Sequence, residues 1–363
     1  MNESLRFALD PVRTPDELAR EWSQFDEAPG GSFFTRWLCI GTWLETLPGS
    51  VEKFVLRAFL GGRLVAMAIL VRRSERRHGF VAARQLHFNA AGDPSCDFTI
   101  EHNGFASSGI DEARLWAGFL DWFRGAGTLG DELVLPGLTD PGPLPPRPAG
   151  LFHRIHSVPA YRVDLARVAA ADGDPTVLLS RNSREQLNRA MRRCAEAGTL
   201  TIEEAASPEE ALAYFAALEP LHVAGWTRRG KSHSFTHPFF ARFHRRLIAV
   251  GMARAAIQML RVKAGPTVLG YLYNFRDRGR VFAYQSGFDR ADQRRPGYVC
   301  HALAIRRNAE KGEHVYDFMA GDNRLKQSFA SESYTMSWHT LQRPLLRFRL
   351  EQAAREMRAL VRR

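Results

Sequence analysis

A proline-rich segment near the middle of the chain constrains its fold more than any other feature. Residues 136–150, PGLTDPGPLPPRPAG, contain six prolines and three glycines. Proline fixes φ and has no backbone N–H to donate, so this segment cannot form a helix interior or a central strand. We expect an irregular, partly extended connection here. The 363 residues are enough for two domains that each bury a core.

Hydrophobic periodicity predicts a similar order of elements on both sides of this segment. Before it, two strand-like runs flank a Gly-Gly pair and predict a hairpin, followed by a strand, a helix and a strand. These are expected at 53–60, 63–71, 80–90, 111–125 and 132–135. After it come a strand, a helix, a strand, two helices, three antiparallel strands, a helix and a strand. These are expected at 158–165, 183–197, 199–203, 207–219, 238–250, 254–262, 267–276, 280–288, 297–311 and 314–319.

The repeated order predicts an α/β (α+β) fold of two tandem domains, each a mixed, mostly antiparallel sheet flanked by helices. A second connection, 166–176, is rich in alanine, aspartate and glycine and sets the expected boundary. We therefore expect domains at 1–165 and 166–363. A terminal amphipathic helix over 344–362 should begin at Pro344 and pack its apolar side against the protein. That side carries Leu346, Leu350, Ala353, Met357 and Leu360.

The chain is strongly basic. Its 50 basic residues exceed its 39 acidic ones, which gives a net charge of +11, and only five of the basic residues are lysines. A cationic excess fits a polyanionic partner such as a cofactor phosphate, an acidic carrier protein or RNA. GC-rich coding explains an arginine bias equally well, so charge alone does not choose among these partners.

The four cysteines are scattered, and no apolar run is long enough to span a bilayer. Cys39, Cys96, Cys194 and Cys300 have no CxxC spacing, which predicts reduced thiols and neither a zinc site nor a disulfide framework. The N-terminal MNESLRFALD lacks the basic lead and apolar core of a signal peptide. We therefore expect a cytoplasmic protein without a bound metal.

An arginine-rich helix is the first candidate for phosphate binding. The predicted helix 183–197 begins with Ser183 and Gln186 in capping-box spacing. Arginines crowd its polar side, which fits either a solvated face or a face turned toward phosphate.

A strand–loop–helix junction at 281–299 is the second and more specific candidate. The strand runs through Arg294 and Arg295 into a helix that starts at Pro296. A helix N-terminus exposes unpaired N–H groups and the positive end of its dipole, so it binds anions well. Gly297 would let the backbone approach such an anion closely.

This junction resembles the pyrophosphate-binding motif of the GNAT superfamily of acyltransferases, (Q/R)-x-x-G-x-(G/A), between the fourth strand and the next helix. Arg294, Gly297 and Val299 stand at its positions, and Val299 departs from the small residue expected last. The order of strands resembles the superfamily as well. The resemblance implies a GNAT fold, acyl transfer and a donor loop at 293–299.

Nearly the whole chain is also similar to the GNAT branch associated with cellulose and exopolysaccharide gene clusters, which is related to the Fem-type peptidyltransferases. The segments that carry this similarity are FFTRWLCIGTWLETLP, SRNSREQLNRAMRR, LHVAGWTRRG, AYQSGFD with a later PG, and YDFMAGDNRLK. The similarity implies two tandem GNAT domains. The first is expected to be degenerate, because no Arg-x-x-Gly loop lies between its strand at 80–90 and its helix at 111–125.

The resemblance places an acyl-donor site in the second domain. The pantetheine arm of the donor would lie along strand 283–288, in a gap between this strand and strand 314–319. The loop would hold the pyrophosphate. The donor-binding residues implied are Ser286, Gly287, Phe288, Arg294, Arg295, Gly297, Tyr298, Val299 and Asn323.

The resemblance also implies catalytic and acceptor-binding residues. In many GNAT enzymes a carboxylate on the central strands accepts a proton, because an ammonium must lose one before it attacks a thioester. The catalytic candidates are Asp317, Tyr284 and Lys326. A strand-end aspartate held by its surroundings and a surface lysine are the plain alternatives. An acceptor would bind in a polar loop, although its tryptophan also suits a core; that loop carries Trp226, Arg228 and Arg229.

Three functions remain open. The first is direct transfer of an acyl group from acyl-CoA, or an acyl carrier protein, to an amine or hydroxyl, since no nucleophile–His–Asp triad is evident. The second is a Fem-like transferase that uses aminoacyl-tRNA, which the positive charge favours. The third is a non-catalytic binding module in polysaccharide biosynthesis.

Overall fold

The computed structural model describes residues 3–78, 81–140, 142, 144, 148–289 and 295–361, with side chains as far as Met357. Internal contacts divide the chain into two compact units, residues 1–157 with 336–363, and residues 158–335. The first boundary thus precedes the expected position 165, and the C-terminal segment belongs to the first unit, whereas we expected it in the second. Both boundaries fall inside continuous strands, Phe152–Asp164 and Glu332–Gln342, so no loop composition marks them.

The first unit is a sheet with helices packed on it. Its strands are β1 Leu5–Pro11, β2 Glu52–Leu60, β3 Arg63–Arg77, β4 Val81–Phe88, β5 Ala106–Ser107 and β6 Glu132–Asp140. Its first helices are α1 Pro15–Asp26, α2 Trp37–Thr46 and α3 Glu112–Gly125. The strand order is β1-β2-β3-β4-β6, with β5 paired to β3. β4 and β6 run parallel, and the other neighbours run antiparallel.

Aromatic residues form the core between α3 and this sheet. Phe88 of β4 packs on Phe105, Trp116 and Phe119, with ring centroids 4.9, 5.2 and 5.7 Å away. Trp116 and Phe119 are three residues apart and therefore share one face of α3. β6 includes Pro136 and continues to Asp140, within the segment where we expected an irregular connection. Proline is tolerated here because position 136 lies beyond the residues that pair with β4.

The second unit repeats this arrangement. Its strands are β7 Phe152–Asp164, β8 Leu200–Glu204, β9 Ile257–Ala264, β10 Thr267–Asp277, β11 Arg280–Phe288, β12 Val315–Ala320 and β13 Glu332–Gln342, of which β7 and β13 also have residues in the first unit. Its helices are α4 Leu165–Ala169, α5 Arg181–Ala195, α6 Pro208–Thr227, α7 Pro238–Gly251, α8 Pro296–Glu310 and α9 Arg324–Phe329. The order β8-β9-β10-β11-β12-β7 contains one parallel pair, β11 with β12.

The two units therefore share the same plan. β4-α3-β6 in the first corresponds to β11-α8-β12 in the second, since each is a pair of parallel strands joined through a helix. The expected fold class, two tandem domains with mixed, mostly antiparallel sheets flanked by helices, is confirmed. Among the described residues, no helix combines the length and apolarity needed to cross a bilayer.

Several helix ends differ from the sequence prediction. α5 begins two residues early, because Ser180 is its N-cap and accepts the Ser183 N–H at 3.3 Å, so Ser183 is not the cap. α6 was expected to end at 219 but continues through Pro220 to Thr227. The last helix, α10 Leu346–Val361, begins after Pro344. Local signals misplace these ends because packing along a helix outweighs a single breaker residue.

Candidate active site

β11 and β12 run parallel but pair over only three residues. The register joins Arg280–Phe282 to Val315–Asp317. Beyond this point β11 stays paired to β10 as far as Phe288, and β12 stays paired to β7 as far as Ala320. Because each strand follows its other neighbour, the two separate and a wedge-shaped gap opens between them. The loss of pairing agrees with the separation that we expected between these strands, and a donor site there stays a prediction.

Asp317 lies at the point of this gap, as the last β12 residue that pairs with β11. Its side chain is fully buried. Its Oδ1 accepts hydrogen bonds from the Met319 N–H at 2.8 Å and from the Tyr334 hydroxyl at 2.7 Å. The register against β7 also shifts between Asp317 and Met319, which has φ +61°. Such a bulge re-aims a side chain, so the bulge and Tyr334 together orient this carboxylate.

Asp317 faces the side of the sheet opposite to α8. Its neighbours in β12, Tyr316 and Phe318, both pack on His301 of α8, with ring centroids 6.1 and 5.1 Å away. Side chains alternate along a strand, so Asp317 points the other way. The carboxylate is thereby separated from the core beneath α8.

Tyr284, a second catalytic candidate, belongs to an aromatic cluster against α7. Its ring centroid lies 4.5 Å from that of Phe275, 5.0 Å from that of His244 and 6.4 Å from that of Phe240. Only 9% of the residue is exposed. The described ring contacts therefore assign Tyr284 to packing between β11 and α7.

His222 of α6 lies against the outer part of β11. Its Nδ1 is 3.0 Å from the carbonyl oxygen of Ser286, and since a carbonyl only accepts, Nδ1 must carry the hydrogen. Gly287 permits this close approach, because a Cβ there would lie 2.5 Å from the carbonyl oxygen of Leu218. Ser286 and Gly287 thus fasten β11 to α6.

The three acceptor-site candidates lie at the end of α6. Trp226 is half-buried in the last helical turn, where we expected a loop, and its ring stacks on His222 at a centroid distance of 5.6 Å. The Arg229 guanidinium lies 4.7 Å from the Trp226 ring centroid, and its Nε donates to the Gly225 carbonyl at 3.0 Å. Arg228 is exposed at the C-cap of the helix. A histidine, a tryptophan and an arginine are therefore layered beside β11.

Phe288, at the end of β11, lies between two glycines. A Cβ added to Gly270 would be 2.6 Å from its Cδ1, and a Cβ added to Gly297 would be 2.9 Å from its Cδ2. The ring also meets His301 edge to face at 5.6 Å. The structure thus shows a packing reason for Gly297, besides the approach of an anion that the motif implies.

The start of α8 has an unusual backbone. Arg295 is its N-cap and adopts the left-handed conformation at φ +54° and ψ +51°. Such a conformation is uncommon for a residue with a side chain and is concentrated at functional sites. The Tyr298 N–H donates back to the Arg295 carbonyl at 3.0 Å, and Val299 is fully buried in the core. Arg294 lies outside the described residues.

Arg295 also connects α8 to the basic side of α5. Its Nη1 donates to Gln186 Oε1 at 2.7 Å. A surface depression of about 230 Å³ surrounds this contact and gathers three guanidinium groups and one carboxylate. The residues that line it are Asn182, Glu185, Gln186, Arg189, Ala190, Arg193 and Arg295. This net positive depression at a helix N-terminus is suited to an anionic group.

Lys326 and Asn323 hold the end of β12. The Asn323 side chain caps α9 by accepting the Lys326 N–H at 3.0 Å. Lys326 Nζ donates to the carbonyl oxygens of Met319 at 3.2 Å and Ala320 at 2.6 Å. These contacts are with backbone groups, where we expected a carboxylate or phosphate for Lys326 and the donor for Asn323.

The first unit contains a corresponding gap, and its own chain fills it. β4 and β6 pair only over residues 85–87 and 132–134. The Asn103 Nδ2 then donates to the carbonyl oxygens of Phe88 at 3.0 Å and Pro136 at 2.9 Å, and the Asn103 N–H donates to Gly137 at 2.9 Å. Asn89 donates to Asn103 Oδ1 at 2.9 Å. A buried asparagine thus bridges the two strands where they separate.

Two residues of the site were not selected from the sequence. Tyr334 contacts Asp317 but lies seventeen positions away in another strand, and no local motif indicates it. His222 is four residues before Trp226 and therefore lies on the same face of α6. We did not use this spacing because we expected α6 to end before residue 222.

Comparison with known proteins finds a family match for part of the chain. Residues 181–327, which contain α5 through β12 and most of α9, match the model of the acetyltransferase (GNAT) domain. This part of the chain, about two fifths of its residues, is therefore similar to a GNAT domain. The narrower association with cellulose and exopolysaccharide clusters stays a prediction. No curated protein sequence matches the chain significantly.

Solved structures with the same fold cover almost the whole chain. FemX aligns with a TM-score of 0.58 and 11% identity over 96% of this chain and 99% of its own. The C-terminal domain (DUF2156) of a putative lysylphosphatidylglycerol synthetase from Agrobacterium fabrum aligns with a TM-score of 0.54 and 12% identity, over 96% and 97%. L-PGS from Bacillus licheniformis aligns with a TM-score of 0.54 and 11% identity, over 90% and 92%. At these identities the likeness is one of fold.

Proposed function

We propose that the chain transfers an acyl group from an acyl-CoA, or an acyl carrier protein, directly to an amine or hydroxyl acceptor. The observation that carries this proposal is the gap between β11 and β12 with the buried Asp317 at its point. A strand that has lost a neighbour offers backbone groups to an extended ligand, as in β-strand addition. The amide-containing arm of a thioester donor is such a ligand.

The proposed reaction is a single displacement at the thioester carbonyl carbon. The nucleophile of the acceptor attacks this carbon, the C–S bond breaks, and the thiolate leaves. The proton of the acceptor passes to Asp317, directly or through a water molecule. Tyr334 and the Met319 N–H hold the carboxylate in place through its Oδ1. A general base of this kind contributes roughly 10²–10⁴-fold to a rate.

The depression between α5 and Arg295 is proposed to hold the phosphates of the donor. Its three guanidinium groups outnumber its one carboxylate, and guanidinium–phosphate hydrogen bonds are among the stronger ones in proteins. The α6 terminus, where Arg229 covers Trp226, is proposed as the acceptor side. In the first unit Asn103 occupies the place of a donor, and we propose that this unit binds none.

Thermal stabilisation by a panel of CoA, acyl-CoAs and tRNA tests the donor. A ligand that binds only the folded chain raises the unfolding temperature according to its affinity. Arg193→Gln and Arg295→Gln should weaken CoA binding, each by about tenfold. Arg192→Gln is the matched control, because Arg192 is exposed on the same helix but does not line the depression. Equal effects of all three variants would count against a phosphate site there.

An aminoacyl-tRNA donor is the second candidate, as the resemblance to Fem-type transferases implies. The net charge of +11 and the fold shared with FemX favour it. Under this reading tRNA, and not CoA, stabilises the chain, and its binding weakens steeply as salt rises. If neither donor binds, the remaining reading is a binding module without turnover.

A further inference from the structure

The C-terminal helix α10 turns its apolar side toward solvent. Leu346, Leu350 and Met357 are 72%, 55% and 61% exposed, and Ala353 is exposed as well. Five large hydrophobic residues are exposed in the described part of the chain, and three of them belong to this helix. We expected this side to pack against the protein, and for these four residues that expectation was wrong. The side chain of Leu360, the fifth residue of that side, lies outside the described residues.

The opposite side of α10 anchors the helix. Phe348 is fully buried and packs with Val81 and Ala83 of β4. Glu351, only 2% exposed, accepts a hydrogen bond from Arg77 at 2.6 Å. The Phe348 ring, the buried Glu351–Arg77 ion pair and an Arg347–Asp131 ion pair at 2.7 Å therefore hold α10, and its longer apolar stripe is left uncovered. A contiguous exposed apolar stripe marks an interaction surface.

We propose that α10 pairs with α10 of a second copy of this chain in an antiparallel coiled coil, which makes the protein a two-fold symmetric dimer. The stripe occupies positions 346, 350, 353 and 357, whose alternating spacing of four and three is that of a helix–helix seam. A helix that lies on a membrane presents a broader apolar face bordered by cations. The stripe of α10 is narrow.

The charges beside the stripe favour the antiparallel direction. Arg349 and Glu356 lie on the same edge of the stripe, one heptad apart, and both are exposed. In an antiparallel pair the same edges of the two helices face each other, so Arg349 of each copy meets Glu356 of the other. A parallel pair would bring Arg349 to Ala354 instead. The symmetry doubles the attraction, since each contact occurs twice.

Sedimentation equilibrium of the full chain tests the dimer. The wild type should be dimeric. Leu350→Glu should be monomeric with little change in the unfolding temperature of the monomer, because Leu350 is 55% exposed within its own chain. Gln352→Glu adds the same charge on an exposed position away from the stripe and should stay dimeric. A wild type that remains monomeric at every concentration would overturn the proposal.

Charge reversal tests the direction of pairing. Arg349→Glu and Glu356→Arg should each weaken the dimer by about tenfold, because two attractions become two repulsions. The double variant exchanges the charges and should restore the wild-type affinity. Single reversals without effect would rule out the antiparallel pairing. If the wild type is instead a monomer that binds anionic phosphatidylserine vesicles, and Leu350→Glu abolishes this binding, α10 is a membrane-binding helix and the dimer proposal is overturned.

Discussion

The ring of Phe288 occupies the space in which a side chain on Gly297 would lie. A Cβ at position 297 would come within 2.9 Å of Phe288 Cδ2. This contact joins the last residue of β11 to the first turn of α8, so the strand and the helix that border the proposed donor site are held together at one point. Gly297, which the GNAT motif implies for anion binding, is therefore also required for packing against Phe288.

Gly297→Ala should destabilise the protein by about 1–3 kcal/mol, because the Phe288 ring cannot move away without meeting Gly270 on its other side. For a unit of this size, the unfolding temperature should fall by several degrees. Differential scanning calorimetry measures it. Adding Phe288→Leu to this variant should recover part of the loss, since the smaller side chain makes room. An unchanged unfolding temperature would mean that the packing contact is not restrictive.

Asp317→Asn should lower kcat by roughly 10²–10⁴-fold and leave the KM of the donor nearly unchanged, because the amide keeps the shape but cannot take the proton. Steady-state kinetics with the donor identified by stabilisation checks this. Tyr334→Phe should lower kcat by about tenfold, through loss of one hydrogen bond to a charged group. Wild-type rates in both variants would exclude this carboxylate as the base.

Tyr284→Phe distinguishes packing from catalysis at the other tyrosine. Phenylalanine keeps the ring contacts with Phe275 and His244, so the fold should be preserved. We expect a kcat close to that of the wild type. A large fall in kcat with an unchanged unfolding temperature would show instead that the hydroxyl takes part in the reaction.

The wild-type chain should bind one donor molecule per chain, because Asn103 fills the gap of the first unit. Isothermal titration calorimetry gives this stoichiometry directly. Asn103→Ala leaves the buried carbonyl of Phe88 and the half-buried carbonyl of Pro136 without the Asn103 donor and should cost about 2–4 kcal/mol of stability. The affinity for the donor should not change. A stoichiometry of two donor molecules per wild-type chain would contradict the proposal that Asn103 keeps the donor out of the first unit.

The stability of the second unit should depend on Glu204 at low pH. Burial raises the pKa of this carboxyl, but the Lys311 hydrogen bond at 2.6 Å and the charges of Arg276 and Arg307 prevail and lower it to about 2. Since the folded pKa lies below the ordinary value of 4.5, the stabilisation is complete above pH 4.5 and is lost as the pH falls through 2. It amounts to about 3 kcal/mol.

Urea unfolding at a series of pH values measures this contribution of Glu204 to the free energy of unfolding. Glu204→Gln should be less stable than the wild type at neutral pH, and the difference should shrink between pH 4.5 and 2. Glu185→Gln is the matched control, because its carboxylate is 59% exposed and its ion pair with Arg181 is a surface one. If the free energies of unfolding of the wild type and Glu204→Gln stay parallel as the pH falls, Glu204 is not responsible for the loss of stability at low pH.

Much of the fold was predictable because its signals are local. The Gly61-Gly62 hairpin, the apolar spacing of α3 and the strand–loop–helix order around Pro296 all lie within short windows of sequence. Helix ends were less predictable, since α6 continues through Pro220. The division by internal contacts differs from the expected boundary, because the chain passes between the units inside β7 and β13, which no loop composition reveals.

The sequence by itself determined the types of the elements, their tandem order and the superfamily resemblance, because periodicity, turn residues and short motifs are properties of neighbouring residues. Only the tertiary structure decided which side chains meet. It brought Tyr334 to Asp317, placed the Phe288 ring on Gly297, and left the apolar side of α10 in solvent. These outcomes depend on strand register and on the buried Phe348 and Glu351, which select the face that a helix presents. Such choices join residues far apart in the chain, and no local pattern contains them.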